Sequence, residues 1–384
     1  MIRLAVIGIG RMGSRHARNL LGGVVKGAKL VAVCDTDKET LDGFCGKYKV
    51  VGYTDFVEML DKEKPDGVII ATPHISHIAI ACECVKREIH TLLEKPISIT
   101  VKEARKVVDA LNSKDSVIGA MMFNQRTNRM YRKAKQLIDS GKIGKIQRVN
   151  FTVTDWYRTQ FYYDMGGWRA CWSGEGGGTL INQCVHQLDV LQWLIGMPEK
   201  VYAICKTVGR DITTENDVTA MLSYKDHECV FTASTHEIPG TNRLEIAGDK
   251  GKIAIEKYKM SYWLNEYSES EINARSTRDY GNKKDKKSKK YTLSYGLSRM
   301  IYDGIYGQQS RIIKNFVKAI ERGDKNILIA RMEEGINGLT LINAMNMSSW
   351  LNRPVNLPID EDEYERLLKE KINDELDAKR KDNN

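Results

Sequence analysis

Short apolar runs rich in β-branched residues alternate with helical patterns over the first third of the chain. The runs predict strands near residues 2–7, 30–34, 67–71, 90–93 and 117–122. Between them, apolar residues at helical spacing predict helices near 15–21, 56–60, 77–88 and 101–111. Strands that alternate with helices are typical of a parallel sheet with helical crossovers. We therefore expect an α/β, doubly wound sheet in a first domain, residues 1–123.

The pattern changes after residue 124. A helix near 128–140 is followed by strand-like segments near 146–154, 200–208, 218–224, 228–234, 243–247 and 251–257. Consecutive strands without helices between them indicate antiparallel pairing, so residues 124–384 are predicted to form a second, α+β domain. Within it, the polar residues 267–292 are expected to form an exposed insertion, and two closing helices are predicted near 308–322 and 331–351.

Composition narrows the class of protein. The 384 residues exceed what one hydrophobic core usually serves, which agrees with two domains. No apolar stretch approaches the roughly 20 residues that cross a bilayer, and the strand-like start lacks the features of a secretion signal. We expect no membrane span and a cytoplasmic location. The eight scattered cysteines fit neither a zinc site nor a redox pair, so we expect free thiols and no bound metal.

The net charge of +9 raises the question of nucleic-acid binding. Six of the lysines, however, lie within residues 283–290, where a solvated loop explains them. Because no groove-binding motif or aromatic interleaving accompanies them, we predict no nucleic-acid partner.

A glycine-rich turn, Gly8-Ile9-Gly10-Arg11-Met12-Gly13, directly follows the first strand and opens a helix. Such a turn lets the backbone approach a pyrophosphate, which the amides of the helix then face. Asp35 lies 22 residues beyond Gly13 at the end of the next strand, where a carboxylate accepts ribose hydroxyls and repels a 2′-phosphate. The pattern predicts NAD, with NADP the less favoured alternative. A glycine-rich turn that binds nothing is the structural alternative.

Two further segments end strands at the same carboxyl edge, where open α/β sheets bind ligands. Thr72, Pro73 and His74 follow one strand and are predicted to lie beside the cofactor, where Thr72 and Pro73 line the ribose and phosphates. His77 either contacts the cofactor or caps and packs beneath the following helix. Glu94 and Lys95 follow the next strand and are also predicted to lie beside the cofactor. Lys95 can donate to a substrate oxygen and stabilise alkoxide character unless it is simply a surface lysine.

Candidate chemistry in the second domain follows three glycines, Gly176 to Gly178. Asn182 and His186 are four residues apart, so a continuous helix would place them on one face. A histidine on a helix is more often structural, but its pairing with Asn182 behind the glycines favours catalysis. Just before the glycines, Tyr157, Trp168 and Arg169 suit stacking on a sugar ring, with core packing as the alternative for Trp156 and Trp172.

In this order the motifs resemble the Gfo/Idh/MocA oxidoreductases, the glucose-fructose oxidoreductase, inositol dehydrogenase and rhizopine-catabolism group. The resemblance covers nearly the whole chain. It rests on the glycine turn, Asp35, Ala71-Thr72-Pro73, Glu94-Lys95-Pro96, Asn124-Gln125-Arg126, Gly141-Lys142-Ile143-Gly144, the glycine-rich segment with Asn182 and His186, and the closing helix toward Leu357-Pro358. It implies a Rossmann domain, a second domain with a large open sheet, and a homo-dimer or homo-tetramer.

The resemblance also carries site residues onto this chain. Lys95 matches the family's catalytic lysine and His186 its catalytic histidine, while Asn182 stands where many polyol dehydrogenases have aspartate. It places Asn124 with the cofactor and Gln125 and Arg126 with the substrate. The amide of Asn182 can hydrogen-bond but cannot take a proton, which puts inositol in doubt and favours sugars, nucleotide-sugars or glycosides.

The sequence therefore predicts an NAD-dependent dehydrogenase that acts on a secondary alcohol of a sugar, glycoside or polyol, with carbon 3 of a glucoside as the specific guess. One alternative uses tightly held NAD to cleave a glycosidic bond by oxidation, elimination and reduction. Another is a nucleotide-sensing regulator without catalysis.

Overall fold

The computed structural model describes residues 1–382, which divide into two compact units. The first unit comprises Met1–Thr127, Gly174–Gly176 and Ile301–Leu339, and the second comprises Asn128–Ser173, Gly177–Met300 and the chain from Thr340 onward. By its contacts, the segment from Ile301 to Leu339 belongs to the first unit, although the sequence boundary after residue 123 assigns it to the second domain.

The first unit contains a parallel sheet of six strands in the order β3-β2-β1-β4-β5-β6. The strands are β1 (Ile2–Ile7), β2 (Ala28–Cys34), β3 (Val51–Tyr53), β4 (Gly67–Ile70), β5 (His90–Leu93) and β6 (Gly119–Met121). The connecting helices are α1 (Arg11–Leu21), α2 (Lys38–Tyr48), α3 (Phe56–Glu63), α4 (His77–Lys86) and α5 (Val101–Asn112). The order reverses beside β1, which confirms the doubly wound sheet and places the ligand edge after β1 and β4.

Two elements of this unit have no counterpart in the sequence prediction. Strand β3 is only three residues long and largely exposed, so it lacks a buried apolar run. Helix α2 buries only Leu41 and Phe44, which leaves its helical period faint. Strand β3 forms because it pairs with β2, and α2 packs on the core through Leu41 and Phe44. Local patterning records neither contact.

The second unit contains a mixed sheet of nine strands in the order β14-β13-β12-β11-β7-β10-β9-β8-β15. All of its pairs are antiparallel except β7 with β10. In chain order, the elements up to the sixth strand of this sheet are α6 (Arg129–Asp139), β7 (Ile146–Val153), α7 (Gln160–Asp164), α8 (Thr179–Asn182), α9 (Val185–Ile195), β8 (Lys200–Lys206), β9 (Asp217–Ser223), β10 (Glu228–Ser234), β11 (Asn242–Gly248) and β12 (Gly251–Glu256). The remaining elements of the chain are β13 (Lys259–Asn265), α10 (Glu269–Arg275), β14 (Ser288–Ser294), α11 (Leu297–Tyr306), α12 (Gln309–Arg322), α13 (Gly335–Leu351), β15 (Val355–Asn356) and α14 (Glu361–Asp382).

Helix α12 explains why its segment joins the first unit. Its residues Ile312, Ile313 and Phe316 are buried in the same apolar core as Leu4 of β1 and Leu92 of β5. The exposed face of α12 carries Lys314 and Lys318. This amphipathic pattern predicts the helix correctly but does not say which sheet it covers.

The lysine-rich segment is exposed, as expected, but part of it has regular structure. Strand β14 begins at Ser288 and pairs antiparallel with β13 at the edge of the nine-stranded sheet. The ammonium groups of Lys289 and Lys290 lie 5.3 Å and 5.2 Å from the ring centres of Tyr291 and Trp263. Lysines on an edge strand hinder its pairing with other chains. A lysine-rich composition is therefore compatible with a strand at the edge of the sheet.

Two observations concern the whole described chain. Among residues 1–382, no helix is both long and apolar enough to cross a membrane. All eight cysteines lie in this part of the chain, and each is a free thiol. The sulfur atoms therefore make no covalent link between the strands and helices that carry them.

Candidate active site

The glycine-rich turn packs so closely that side chains are excluded at two of its positions. A Cβ atom on Gly13 would lie 1.7 Å from the Gly8 carbonyl oxygen, and one on Gly8 would lie 2.6 Å from the Ala71 oxygen. At Gly10, by contrast, a Cβ would meet nothing within 4 Å. The turn thus closes tightly against β4 while the space over Gly10 stays open, as the approach of a dinucleotide pyrophosphate requires.

Helix α1 begins at Arg11 directly after this turn. Gly10 provides no side-chain cap, so the amides of the first helical turn face outward as anion donors. Arg11 is exposed and Met12 is half-buried. These features fit the pyrophosphate of NAD.

Asp35 is tied to the glycine-rich turn. Its Oδ2 accepts a hydrogen bond from the Ile9 amide at 2.6 Å, and its Oδ1 accepts one from the Asp37 amide at 3.0 Å. The carboxylate is held at the carboxyl end of β2 and remains partly exposed. Next to it, burial and the Asp35 charge raise the pKa of Cys34 to about 12, so this thiol stays neutral. Asp35 is therefore fixed beside the glycine-rich turn with part of its side chain exposed, as the predicted ribose contact requires.

The turn after β4 carries Thr72, Pro73 and His74. Thr72 Oγ1 accepts a hydrogen bond from Ser76 Oγ at 2.8 Å, and Pro73 is exposed. His74 is buried, with Nδ1 3.1 Å from the Glu175 carbonyl oxygen. Thr72 and Pro73 therefore occupy the ligand edge of the sheet, whereas His74 is enclosed.

His77 is wholly buried and lies beneath this turn. Its Nδ1 is 2.8 Å from the Pro96 carbonyl oxygen and its Nε2 is 2.9 Å from that of Thr72. Burial lowers the pKa of His77, while the two carbonyl contacts favour the protonated ring. With both nitrogens facing backbone oxygens, the structure favours packing beneath the turn over the predicted contact with the cofactor.

Glu94 and Lys95 follow β5 at the same edge. Glu94 is buried, and its Oε1 is 2.8 Å from Nε2 of His16. Its Oε2 accepts a hydrogen bond from the Lys95 amide at 3.2 Å. Lys95 itself is only partly buried. A buried carboxylate thus fixes the backbone of the turn that carries the candidate lysine.

In the next turn, Asn124–Thr127, the position of Arg126 differs from the prediction that it contacts the substrate. The side chain of Arg126 is 1% exposed, and its Nη1 donates to Glu334 Oε2 at 2.6 Å and to the Ile329 carbonyl at 3.3 Å. A guanidinium enclosed in that ion pair cannot be the predicted substrate contact. Asn124 is buried with Nδ2 3.4 Å from Gln308 Oε1, and Gln125 is half-buried.

In the second unit, the predicted helix with Asn182 and His186 is interrupted. Asn182 ends α8, and His186 lies in the first turn of α9. The Cys184 amide bonds to the Thr179 oxygen at 2.9 Å, five residues back instead of four, which marks the break. Asn182 and His186 are both partly exposed. The expectation of one continuous helix is wrong, but both side chains remain on adjoining helical turns.

The hydroxyl of Tyr162 contacts two of the predicted site residues. It accepts from Arg169 Nη1 at 3.3 Å and from Asn182 Nδ2 at 3.4 Å. The Arg169 guanidinium also lies 4.7 Å from the ring centre of Trp168. Trp168, Arg169 and Asn182 are thus brought together around a tyrosine that was not among the predicted site residues. Tyr157 is exposed, and its ring contacts Arg210 instead.

Glu215, which the sequence prediction missed, holds the start of α8. Its carboxylate oxygens accept hydrogen bonds from the Gly178 amide at 3.1 Å and the Leu180 amide at 2.9 Å. A Cβ on Gly178 would lie 2.0 Å from the Glu215 carbonyl oxygen, so only glycine allows this approach. An isolated acid in a turn before β9 carries no sequence signal of this role.

Glu375, also missed, fixes the segment just before the glycines. Its carboxylate accepts from the Trp172 amide at 2.6 Å, Ser173 Oγ at 2.7 Å and Thr213 Oγ1 at 2.9 Å. Trp172 is buried, which agrees with the core-packing alternative. A signal for Glu375 was present, because it follows Tyr364 at helical spacing on the buried face of α14.

Comparison with known proteins bears on both units. A model of the oxidoreductase family with an NAD-binding Rossmann fold matches residues 2–122, and one of the GFO/IDH/MocA C-terminal domain matches residues 131–254. The scyllo-inositol 2-dehydrogenase (NAD(+)) of Bacillus subtilis is 30% identical over 267 residues, 66% of this chain and 73% of that protein. The myo-inositol 2-dehydrogenase of Thermotoga maritima is 27% identical over 260 residues, 66% and 74% of the two chains.

A solved structure extends the likeness. The WlbA dehydrogenase of Bordetella pertussis, in complex with NADH and UDP-GlcNAcA, superposes with a TM-score of 0.78 at 25% identity, covering 94% of this chain and 98% of that chain. These relatives confirm the expectations of a Rossmann fold, of NAD and of a dehydrogenase of sugar or polyol alcohols. The chain belongs to the GFO/IDH/MocA family and is an NAD-dependent oxidoreductase.

Proposed function

We propose that this enzyme oxidises a secondary alcohol on the ring of a sugar, glycoside or polyol. The observation that carries the proposal is the group around the Tyr162 hydroxyl, where Arg169 and Asn182 donate within 3.4 Å. The Trp168 ring beside Arg169 offers an apolar face, and such a mixture of fixed polar groups and aromatic surface suits a sugar ring. The inositol dehydrogenases among the relatives support the same substrate class.

In this proposal, His186 takes the proton of the substrate hydroxyl as general base. The Lys95 ammonium donates to the same oxygen and stabilises its alkoxide character as the carbon–hydrogen bond breaks. The glycine-rich turn and Asp35 would hold NAD, which would supply the hydride acceptor for oxidation of that carbon to a ketone. Asn182 orients the substrate through its amide and does not exchange protons, because an amide does not titrate in this range.

For the substrate itself, we propose a glycoside or sugar in preference to inositol. The support is Asn182, whose amide provides no charge at the position where, by the resemblance, many polyol dehydrogenases of this family have aspartate. Carbon 3 of a glucoside is the specific position that we propose. An enzyme that cleaves glycosides with retained NAD would use the same groups, and it would release the aglycone from a glucoside without added NAD.

We also propose that the enzyme is a homo-dimer or homo-tetramer. One face of the strands β8 to β10 is buried, whereas the other exposes three apolar side chains: Ile204, Met221 and Val230 are 45%, 46% and 39% exposed. Val230 and Met221 lie opposite each other in the ladder, so they form a continuous apolar surface. A second copy of the chain would cover this surface.

The first prediction concerns the catalytic pair. Lys95→Met and His186→Ala should each lower kcat for the best sugar or polyol substrate by about 10² to 10⁴, since each removes one group that acts on the hydroxyl. The NADH dissociation constant, measured by fluorescence, should stay close to that of the wild type. Lys106→Met, at an exposed ion pair, is the control. Undiminished turnover in either variant would refute the assigned role.

The second prediction concerns the choice of cofactor. Asp35→Ser should weaken NADH binding about tenfold to a hundredfold, the range for losing hydrogen bonds to a charged acceptor, and should improve NADPH relative to NADH. Asp37→Ser, which removes a nearby carboxylate but keeps a capping hydroxyl for α2, should leave the ratio of the two affinities unchanged. Titrations of both nucleotides by fluorescence give the ratio, and an unchanged ratio in the Asp35 variant would contradict the assignment.

The third prediction concerns assembly. Light scattering of the purified chain should give the mass of two or four copies, and the double variant Met221→Asp/Val230→Asp should shift it to a lower mass because buried unpaired carboxylates oppose association. Lys318→Asp, on the exposed face of α12 and with the same change in net charge, tests whether any added negative charge has this effect. A wild-type mass of one chain would refute the oligomer.

A further inference from the structure

Two buried histidines flank the turn that carries Lys95. His16 on α1 and His77 at the start of α4 are both 0% exposed. The first contacts the residue before Lys95, Glu94, and the second contacts the residue after it, Pro96. A lysine that must reach a substrate oxygen needs a fixed backbone, and this arrangement fixes it from both sides.

His16 connects the glycine-rich turn to Glu94. It lies three residues beyond Gly13 on α1, with Nε2 2.8 Å from Glu94 Oε1. The other carboxylate oxygen, Oε2, accepts the amide hydrogen of Lys95. A chain of two hydrogen bonds thus runs from the helix behind the pyrophosphate turn to the backbone of Lys95.

His77 connects the Thr72 turn to Pro96. Its Nδ1 and Nε2 face the carbonyl oxygens of Pro96 and Thr72, 2.8 Å and 2.9 Å away. A carbonyl oxygen only accepts, so the neutral ring that burial favours donates to one of these two oxygens, and a protonated ring donates to both. The imidazole therefore bridges a turn proposed to line the cofactor and the turn that carries the proposed catalytic lysine.

We propose that His16 and His77 are positioning residues that set Lys95 relative to the bound dinucleotide. The proposal rests on the role assigned to Lys95 above. Packing alone does not account for these side chains, because an apolar residue of similar size would fill each site without burying polar nitrogens. Displacing a catalytic group by about 1 Å is enough to reduce turnover by roughly 10²-fold.

Asparagine and glutamine variants separate the contacts. The Gln Nε2 lies as many bonds from the backbone as His Nε2, and the Asn Nδ2 as many as His Nδ1. His16→Gln therefore keeps a donor for Glu94, and His16→Asn does not. His77→Asn keeps the donor toward Pro96, whereas His77→Gln keeps the donor toward Thr72. Each pair has nearly matched size and polarity but different reach.

At position 16, His16→Gln should retain most of the wild-type kcat, whereas His16→Asn and His16→Leu should lose about 10- to 100-fold, with the NADH dissociation constant within about threefold of wild type. In a Lys95→Met background, His16→Leu should cause no further loss, because it acts through that lysine. His90→Gln, at the opposite end of β5, is the control for removing a histidine. Equal losses in the Gln and Asn variants, or a full additional loss without Lys95, would overturn the proposal.

At position 77, the two variants should differ in what they impair. His77→Gln should lower kcat with little change in NADH affinity, and His77→Asn should weaken NADH binding with kcat at saturating NAD nearly kept. Loss of both quantities in parallel in both variants would mean that His77 only packs. Failure of the proposed function can be distinguished from failure of the positioning role. A wild type that oxidises no sugar or polyol would refute the proposed function. In that case, a weaker NADH affinity in His77→Asn than in His77→Gln would still support the bridge between the two turns.

Discussion

The close packing of the glycine-rich turn is the constraint on which the first unit depends. Gly13 approaches the Gly8 oxygen so nearly that a Cβ would lie 1.7 Å away, and this approach brings α1 down onto the carboxyl edge of the sheet. One consequence is the open space over Gly10, with helix amides facing it. Another is that His16 reaches Glu94 from the same helix. The proposed cofactor site and the proposed positioning of Lys95 therefore share one backbone arrangement.

In the second unit, two buried carboxylates hold the segments that carry the candidate site residues. Glu215 receives the amides at the start of α8, and Glu375 receives the backbone and side chains around Trp172 and Ser173. Each satisfies donors that would otherwise be costly to bury. Asn182 and the residues around Tyr162 are consequently supported by acids that lie far from them in the sequence.

Features that depend on local pattern and residue spacing could be predicted from the sequence. The glycine turn, Asp35 and the strands around them followed from apolar periods and fixed spacings, and these strands form the sheet as expected. What it could not supply were partners distant in the chain. Arg126 gave no sign of its ion pair with Glu334, which lies 208 residues away. The structured part of the lysine-rich segment was hidden because β14 forms only when β13 offers it an edge.

The proposed mechanism requires Lys95 and His186 to contact the same substrate hydroxyl. A crystal structure with NADH and a bound sugar or polyol tests it most directly. We expect one hydroxyl oxygen within about 3.2 Å of both the Lys95 ammonium and a ring nitrogen of His186. The carbon that bears this hydroxyl should lie over the reactive carbon of the nicotinamide. A bound substrate whose hydroxyl over the nicotinamide contacts neither group would contradict the account.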